Sequence, residues 1–352
     1  MKAGSRLSDI RVRLAALAVL SLAQAACLES LPSPSRVDDL RVLAIRAEPP
    51  EVAPGATVAL DALVVDPQAR PARYAWYACV VPEQGRGFFG GGTETSTSGG
   101  NGTPLSNDPY GGSCQRRFEA EVPFAMKLGE GETATLTVPS DLFDTDDALR
   151  LAYSLPDNVE ITEDVKAGFL GIAGVNYTVT LVVEVDGRTV ETAKRVNVSL
   201  DSILANNERN LNPTGLAFHL ARKSDDVTAP TTAPAPADGA CLLAGAPPLV
   251  AGERYRLSPV NVPDPQPEYA VLLGGSTTDA PFELQQIDET SFFSWFSTAG
   301  SLQKSVSKAP GEPLNEWSFA SDAAGPIDFW VVVRDGRGGA WWCHEHLVVA
   351  AP

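Results

Sequence analysis

Apolar residues recur along this chain with a period of two, and this alternation constrains the fold more than any other feature. Every second position from Tyr177 to Val185 is apolar, and after a central Asp-Gly pair the alternation returns at Val196, Val198 and Leu200. Residues 327–333 alternate in the same way before a second Asp-Gly pair, and the chain returns at 341–349. Alternation around a two-residue Asp-Gly turn is a strong signal of a β-hairpin. Helical periods are scarce, and the best short candidate covers residues 140–151. The sequence therefore predicts an all-β protein.

Three groups of residues occur twice along the chain in the same order. The pairs are 55–60 with 252–257, 74–78 with 293–297, and 183–188 with 332–337. This order indicates two copies of one strand plan. The interval from Trp76 to Asp186 is much longer than that from Trp295 to Asp335. We therefore expect an insertion in the first copy, at about residues 82–165.

A strand with a central Trp, between a turn-initiated early strand and a final hairpin, resembles the immunoglobulin-like β-sandwich used by bacterial surface proteins. The resemblance implies that Trp76 and Trp295 pack between two sheets. The cysteine positions do not follow the antibody pattern, so the resemblance concerns the architecture and leaves the strand topology open. The predicted domains are an Ig-like sandwich at 39–203, a linker at 204–240 that leads into the second domain, and a second Ig-like sandwich at 241–352.

The N-terminus is typical of an export signal. Residues 1–26 contain an apolar run at 14–23, too short for a bilayer core, which needs about 20 residues. Four basic residues precede the apolar run: Lys2, Arg6, Arg11 and Arg13. The whole chain has 27 Lys and Arg against 44 Asp and Glu, a formal charge of −17, and without the signal the charge becomes −20. This acidity argues against nucleic acid as a partner, because phosphate binding needs clustered basic residues.

Cys27 directly follows the small residues that end the signal. The run Leu-Ala-Gln-Ala-Ala-Cys at 22–27 resembles the lipobox of bacterial lipoproteins, except that Gln24 stands where the family usually has an aliphatic residue. The resemblance implies a palmitate-type lipid on Cys27, a lipid-anchored linker at 27–38 and the membrane as a partner. The same resemblance implies that Leu28, rather than Asp, after the cysteine directs the protein to the outer membrane of the cell envelope. The alternative is cleavage after Ala-Gln-Ala at 23–25, which would release a soluble protein.

The other four cysteines lie in the body of the chain: Cys79, Cys114, Cys241 and Cys343. An exported protein can form disulfides, and four cysteines allow three connectivities. We prefer the pairs Cys79–Cys114 and Cys241–Cys343, since each bond then stays inside one predicted domain. Free thiols or a metal site are the alternatives, and the absence of a CxxC pair from the sequence disfavours metal.

A glycine tract covers residues 85–112, with ten glycines in 28 residues, and its composition predicts a flexible solvated loop. It includes a GxGxxG at Gly85, Gly87 and Gly90. Dinucleotide binding needs this motif to open a helix, and the Gly-Gly-Thr-Glu-Thr-Ser that follows cannot begin one. We therefore reject the motif and predict no cofactor. The adjacent Phe88 and Phe89 either bind a ligand or fold back on the domain.

His344 and His346 stand at i and i+2 of the last predicted strand, so both point to one face, and Cys343 and Glu345 point to the other. Two imidazoles at this spacing suit Zn or Cu, but solvent-facing strand residues explain them more simply. We therefore predict no metal-binding residues in this chain.

An acidic cluster and a tryptophan pair complete the candidates. Calcium binding or helix capping would explain the cluster, and the order of a calcium loop is absent from it. The cluster comprises Asp141, Asp144, Asp146 and Asp147.

Trp341 and Trp342 must face opposite sides of their strand, and an exposed ring would suit a sugar or a protein.

The sequence contains no nucleophile motif and no catalytic arrangement that we could single out. We therefore expect a non-enzymatic lipoprotein of the cell envelope that acts in binding, adhesion or envelope structure, with an unidentified protein or glycan as its ligand. The alternatives are a carbohydrate-binding accessory module and an exported hydrolase.

Overall fold

The computed structural model describes ten parts of the chain: 33–82, 109–153, 155, 157, 160–201, 208–225, 227–236, 239–263, 267–273 and 283–351. From Ser35 onward the chain forms one compact unit. The predicted signal, Cys27, Phe88 and Phe89 lie outside the described residues.

The described residues of the first half of this unit form eight strands and three short helices. The strands are β1 (Arg41–Glu48), β2 (Glu51–Val52), β3 (Thr57–Val65), β4 (Arg73–Val80), β5 (Met126–Glu130), β6 (Thr133–Thr137), β7 (Val175–Val185) and β8 (Arg188–Val198). The helices are α1 (Cys114–Glu119), α2 (Asp147–Tyr153) and α3 (Glu163–Ile172). The strands form two sheets, β1-β3-β6 and β2-β8-β7-β4-β5, in which β2 pairs with β8 in parallel and the other pairs are antiparallel.

In the second half, eleven strands occur among the residues that the structure describes. They are β9 (Ala217–Arg222), β10 (Leu249–Val250), β11 (Arg254–Val260), β12 (Glu268–Leu273), β13 (Glu283–Asp288), β14 (Ser291–Ser297), β15 (Ser301–Leu302), β16 (Val306–Ala309), β17 (Asn315–Ser318), β18 (Gly325–Arg334) and β19 (Ala340–Ala350). Two sheets have the orders β9-β11-β17-β15 and β10-β19-β18-β14-β16, and β12 and β13 form a separate hairpin.

Both halves follow the same strand plan. The order β1-β3-β6 corresponds to β9-β11-β17, and β2-β8-β7-β4-β5 corresponds to β10-β19-β18-β14-β16, including the parallel pairing of the short second strand with the last one. Two packed sheets with these connections form an immunoglobulin-like sandwich. The protein is therefore all-β, with two tandem sandwiches of this type.

The three repeated sequence groups occupy equivalent places in the two copies. The first group leads into the second long strand of each copy. Its first residues, Gly55 and Gly252, both have φ of +79°, a left-handed conformation that favours glycine. Their amide nitrogens donate equivalent bonds of 3.1 Å, to the carbonyls of Val138 and Ala320. The second group forms β4 and β14, and the third forms the β7–β8 and β18–β19 turns. The duplicated plan predicted from the sequence is thus confirmed.

Each sandwich has its own apolar core, centred on the tryptophan expected there. Trp76 and Trp295 are fully buried. The indole nitrogen of Trp76 donates to the carbonyl of Gly131 at 2.8 Å, and that of Trp295 donates to Ser307 Oγ at 2.9 Å. Each ring therefore buries a large apolar area without leaving its N–H unpaired.

Two stretches form strands of the sheets although the sequence pattern does not predict them as strands. β5 and β6 lie inside the span predicted as an insertion, 82–165, yet they pair with β4 and β3. β9 lies in the stretch predicted to lead into the second domain, and it pairs with β11. The residue limits assigned to the domains stay a prediction.

The disulfides join the cysteines as we expected. Cys79 is bonded to Cys114, with a Cα–Cα distance of 5.3 Å, and Cys241 is bonded to Cys343, with 5.0 Å. The first bond ties β4 to α1 on the outer face of its sheet. The second ties β19 to the segment that pairs with β9, so it connects the two sheets of the second sandwich.

The turn after β3 contains a carboxylate, that of Asp66, whose ionisation should make the stability of the fold depend on pH. Asp66 accepts bonds from the Arg70 guanidinium and amide and from the Gln68 amide, and the Arg70 side chain, the largest cause, lowers its pKa to about 2. A carboxylate with a lowered pKa stabilises the fold above its ordinary pKa, and this contribution is lost as the pH falls through the folded value. We expect the free energy of unfolding to fall less steeply between pH 4 and pH 2 in Asp66→Asn than in the wild type.

Urea unfolding at a series of pH values measures this slope. Asp144→Asn makes the same chemical change at an exposed position and should retain the wild-type slope. Identical slopes for the wild type and Asp66→Asn would contradict the assignment.

Candidate functional site between the two sandwiches

The two sandwiches meet through a buried apolar surface, which we call the contact patch. One side comes from the residues before β1 and from β1 and β3, and the other from the outer face of β14, β18 and β19. Its members are Val37, Leu43, Ala44, Leu63, Val65, Phe296, Trp330, Val332 and Trp342. Removing these side chains from water favours association of the sandwiches.

A β-bulge in β1 builds one side of this patch. The register of β1 against β3 shifts between Val42 and Ala44. Strict alternation would place Leu43 on the same face as Ile45, which belongs to the first core. The bulge instead turns Leu43 outward beside Ala44, so that both contact the second sandwich.

Arginine side chains cover the aromatic part of the patch. The guanidinium of Arg46 lies 4.8 Å from the centre of the Trp342 ring, and that of Arg41 lies 5.5 Å from Phe296. Arg334, from β18, donates to the carbonyl of Leu43 at 3.0 Å. These contacts add cation–π attraction and a hydrogen bond between the sandwiches to the apolar contact.

The segment before β1 also binds the second sandwich. The amide of Val37 donates to the carbonyl of Ser297 at 3.0 Å, and the amide of Ser297 donates to the carbonyl of Ser35 at 2.9 Å. Arg36 thereby extends the edge of the sheet that contains β14. The chain therefore contacts the second sandwich before it enters the first.

A second contact, which we call the polar junction, lies at the turn between β18 and β19. It consists of Glu51, Asn210, Glu289, Asp335 and Arg337. Arg337 Nη2 lies 3.3 Å from Glu51 Oε2, and Nη1 lies 3.2 Å from Glu289 Oε1. These three side chains are only 15%, 11% and 13% exposed. The guanidinium also lies over Tyr269, 4.7 Å from the ring centre.

Asp335 organises the turn itself. Its Oδ1 accepts from the amides of Arg337 and Gly339, and its Oδ2 accepts from Asn210 Nδ2, each at 2.8 Å. The amide of Asn210 in turn donates to Glu51 Oε2 at 2.9 Å. The turn of the second sandwich is thus linked by hydrogen bonds to β2 of the first.

Burial raises the pKa of two ionisable groups at the junction. Burial, the largest cause, raises the pKa of Glu289, and the negative charge of Asp335 adds to this while Arg337 opposes it. Burial likewise raises the pKa of Tyr269. The sequence pattern singles out none of Glu51, Asn210 and Glu289, and it predicts the Asp335 turn only as part of a hairpin.

Gly339 is a position where a methyl group should disturb the junction. A Cβ there would overlap Asp335 Oδ2 and lie 3.0 Å from the carbonyl of Leu211. Since Asp335 is fixed by three hydrogen bonds, we expect Gly339→Ala to destabilise the protein by about 1–3 kcal/mol. Urea unfolding monitored by fluorescence measures the loss.

Gly168, in α3, provides the matched control. A Cβ there would meet nothing within 4 Å. Because alanine favours a helix over glycine, Gly168→Ala should stabilise by about 0.5–1 kcal/mol. Equal effects of the two substitutions would argue against close packing at the junction.

The predicted histidine pair lies on the exposed outer face of β19. His344 Nε2 and His346 Nδ1 approach the same atom, Asp328 Oδ1, at 2.9 and 3.0 Å. Although burial raises the pKa of Asp328, the two imidazoles lower it more. Glu345 points the other way, as expected, and accepts from the amide of Cys241 at 2.8 Å.

The acidic cluster begins α2 and pairs with basic side chains. Asp146 lies 3.7 Å from the Arg150 guanidinium and 3.8 Å from the Lys166 ammonium, and Asp147 is the first residue of the helix. Among the residues that the structure describes, no group of three or more His, Cys, Asp and Glu is arranged to hold a metal ion.

Trp341 and Trp342 face opposite sides of β19, as we expected. Trp341 packs against the core of the second sandwich, and Trp342 belongs to the contact patch. Both rings are partly buried. Neither therefore forms the open aromatic surface that the sugar-binding alternative assumed.

The comparisons with known proteins show no family for this chain. No protein-family model matches it, and neither does any curated protein sequence. Two similar solved structures are the adhesin InvE of Yersinia pseudotuberculosis, at 11% identity and a TM-score of 0.17, and the D0-D1 domain of intimin, at 10% and 0.18. The matches cover 89% and 88% of this chain, and 60% and 98% of those structures.

The chain thus spans about three fifths of the InvE structure. Both TM-scores are low, and these likenesses decide neither the fold nor the function of this protein.

No helix in the described parts of the chain is long and apolar enough to cross a membrane.

Proposed function

We propose that this protein is a non-enzymatic module of the cell envelope, anchored in the outer membrane by lipid on Cys27, that binds a protein or glycan or supports envelope structure. The observation that carries the proposal is the coupling of two immunoglobulin-like sandwiches by the contact patch and the polar junction. Such coupling holds two surfaces in a fixed relation, which suits presentation of a binding surface. The two disulfides support an exported location.

The anchor rests on the signal and on Cys27. With a formal charge of −20 after removal of the signal, electrostatic attraction to anionic lipid cannot hold the protein at a membrane. A single acyl chain binds only marginally, so stable anchoring requires several chains on the cysteine.

Metabolic labelling with a clickable palmitate tests the anchor. We expect label on the wild type and none on Cys27→Ala. Gln24→Leu, which introduces the aliphatic residue that is usual in the lipobox, should be labelled at least as strongly. An unlabelled wild type would reject lipidation, and label that persists in Cys27→Ala would reject Cys27 as its site. Separation of inner and outer membranes would then locate the labelled protein.

The alternatives have less support. A carbohydrate module needs an accessible aromatic face, and Arg46 lies over the ring of Trp342. A hydrolase that used His344 and His346 needs a cleft, and these histidines share Asp328 on an exposed strand face. Glycan binding alone fits both readings, but binding to a glycan array that is lost in Trp342→Ala would favour the carbohydrate module, because our proposal places Trp342 in the contact between the sandwiches.

A further inference from the structure

Among the described residues, β6 is the last strand of the sheet β1-β3-β6. Alternate residues of an antiparallel strand direct their backbone N–H and C=O groups towards the partner strand and away from it. The amide of Val138 donates to the carbonyl of Ala56 at 3.0 Å, which fixes this alternation for β6 against β3. The residues whose backbone groups point outward are therefore Thr133, Thr135 and Thr137, and all three are exposed.

The second sandwich shows a strand on the equivalent edge. β17 corresponds to β6, and β15 pairs with its outer side. Thr135 lies opposite Ala59 and Glu316 lies opposite Arg256, so Glu316 is the equivalent of Thr135. The carbonyl of Glu316 accepts from the amide of Gln303, just after β15, at 2.9 Å. No strand in the described parts of the chain does the same for β6.

Other strand edges have features that discourage further pairing. On β1, the carbonyl of Leu43 accepts from Arg334 at 3.0 Å, and that of Ala47 accepts from Asn212 at 2.7 Å. The outer side of β9 is bonded to residues 241–243. β5 and β16, the last strands of the two five-stranded sheets, each carry an exposed lysine, which opposes pairing at an edge. β6 reads Thr-Ala-Thr-Leu-Thr, without charge or proline, so it has none of these features.

The residues next to both ends of β6 are acidic. Glu130 and Glu132 precede the strand, Asp141 and Asp144 follow it, and all four are exposed. The one lysine that pairs with this group is Lys127, 2.6 Å from Glu130, among the ion pairs of the described residues. Such a surface favours a basic partner and opposes a second copy of a chain whose charge without the signal is −20.

We propose that the outer edge of β6 binds an extended, basic segment of a partner protein by strand addition. The main chain of the segment pairs with the outward groups of Thr133, Thr135 and Thr137, as β15 pairs with β17. Its Lys or Arg side chains lie near Glu132 and Asp141. This inference rests on the binding role proposed above and deepens it, because it names the surface and the chemistry of the partner.

Fluorescence anisotropy with a synthetic probe tests the proposal. The probe is a labelled peptide of alternating Thr and Val with Lys at both ends, and the protein is the full chain with Cys27→Ala. We expect saturable binding to the wild-type strand. Thr135→Pro should weaken it at least about tenfold, because proline removes an outward N–H and leaves the bonds to β3 in place.

Thr135→Ala is the matched control, since it removes the same side chain and keeps the N–H, and it should bind the probe as the wild type does. A probe with Glu in place of Lys should bind more weakly. Absence of binding, equal binding by Thr135→Pro and Thr135→Ala, or equal binding of the two probes would overturn the proposal. The lipid anchor is tested separately, because palmitate labelling of Cys27 does not depend on β6.

Hydrogen exchange gives a second test that needs no substitution in β6. Without the probe, the outward amides of Thr133, Thr135 and Thr137 should exchange faster than that of Leu136, which faces β3. A saturating concentration of the probe should slow these three amides. If they already exchange slowly without the probe, the edge is covered by this chain or by a second copy, and the proposal is overturned. Unchanged exchange with the probe bound would place it elsewhere and would also overturn the proposal.

Discussion

Replacing Cys241 and Cys343 together by serine should destabilise the second sandwich by about 4–5 kcal/mol. The bond closes a loop with a sequence separation of 102 residues, and the loop-entropy relation gives this magnitude for such a loop. It also connects β19 with the segment that pairs with β9, and both cysteines are buried in the second core. Its loss therefore frees the unfolded chain and weakens the link between the two sheets.

Urea unfolding of the double variant measures this loss. The equivalent replacement of Cys79 and Cys114 is the control, because the same relation gives a smaller loss of about 4 kcal/mol for a separation of 35 residues. We expect removal of the Cys241–Cys343 bond to move the unfolding transition of the second sandwich to lower urea. Removal of the Cys79–Cys114 bond should do the same to the transition of the first sandwich. A loss below about 1 kcal/mol on removal of the Cys241–Cys343 bond would contradict its role in holding the sheets together.

Trp295→Ala should cost about 3–5 kcal/mol of folding free energy, the range for removing a large aromatic side chain from a core. Its ring centre lies 5.3 Å from that of Phe218 and 6.3 Å from that of Phe329, so aromatic rings from both sheets surround it. The substitution leaves a cavity and also leaves Ser307 Oγ without its indole donor.

The same unfolding experiment with Val348→Ala provides the reference. Val348 is 62% exposed on β19 of the same sandwich, and its replacement should change stability by no more than about 0.5 kcal/mol. If the two substitutions cost the same, Trp295 would not be the centre of the second core.

The sequence predicts the features of this fold that depend on local pattern. Alternation around the Asp-Gly pairs predicts the β7–β8 and β18–β19 hairpins, since a strand with one buried face must alternate. The duplicated groups locate Trp76 and Trp295 because equivalent strands need the same residue types. The preferred cysteine pairs, which keep each bond inside one predicted domain, are those that the structure contains.

The elements that the sequence missed lack that local signal. β5 and β6 have five residues each and follow a long glycine-rich stretch, so too few apolar positions mark them. β9 buries four of its six residues, and a strand buried on both faces shows little alternation.

The candidate site could not be predicted because tertiary packing alone creates it. Glu51, Glu289 and Arg337 are far apart in sequence, and each resembles a surface residue when taken singly. The bulge at Leu43 also reverses what alternation predicts for that side chain. Contacts between domains depend on which faces meet, and periodicity within one strand does not encode that choice.

The distance between the two sandwiches tests the central claim most directly, since the account requires them to be held together by the contact patch and the polar junction. Pulsed electron-spin measurements on the chain labelled at Thr135→Cys and Lys308→Cys, at pH 5, should give one narrow distance that agrees with the structure. A broad distribution, or a main distance that differs from the structure, would mean that the sandwiches move independently and would contradict the account.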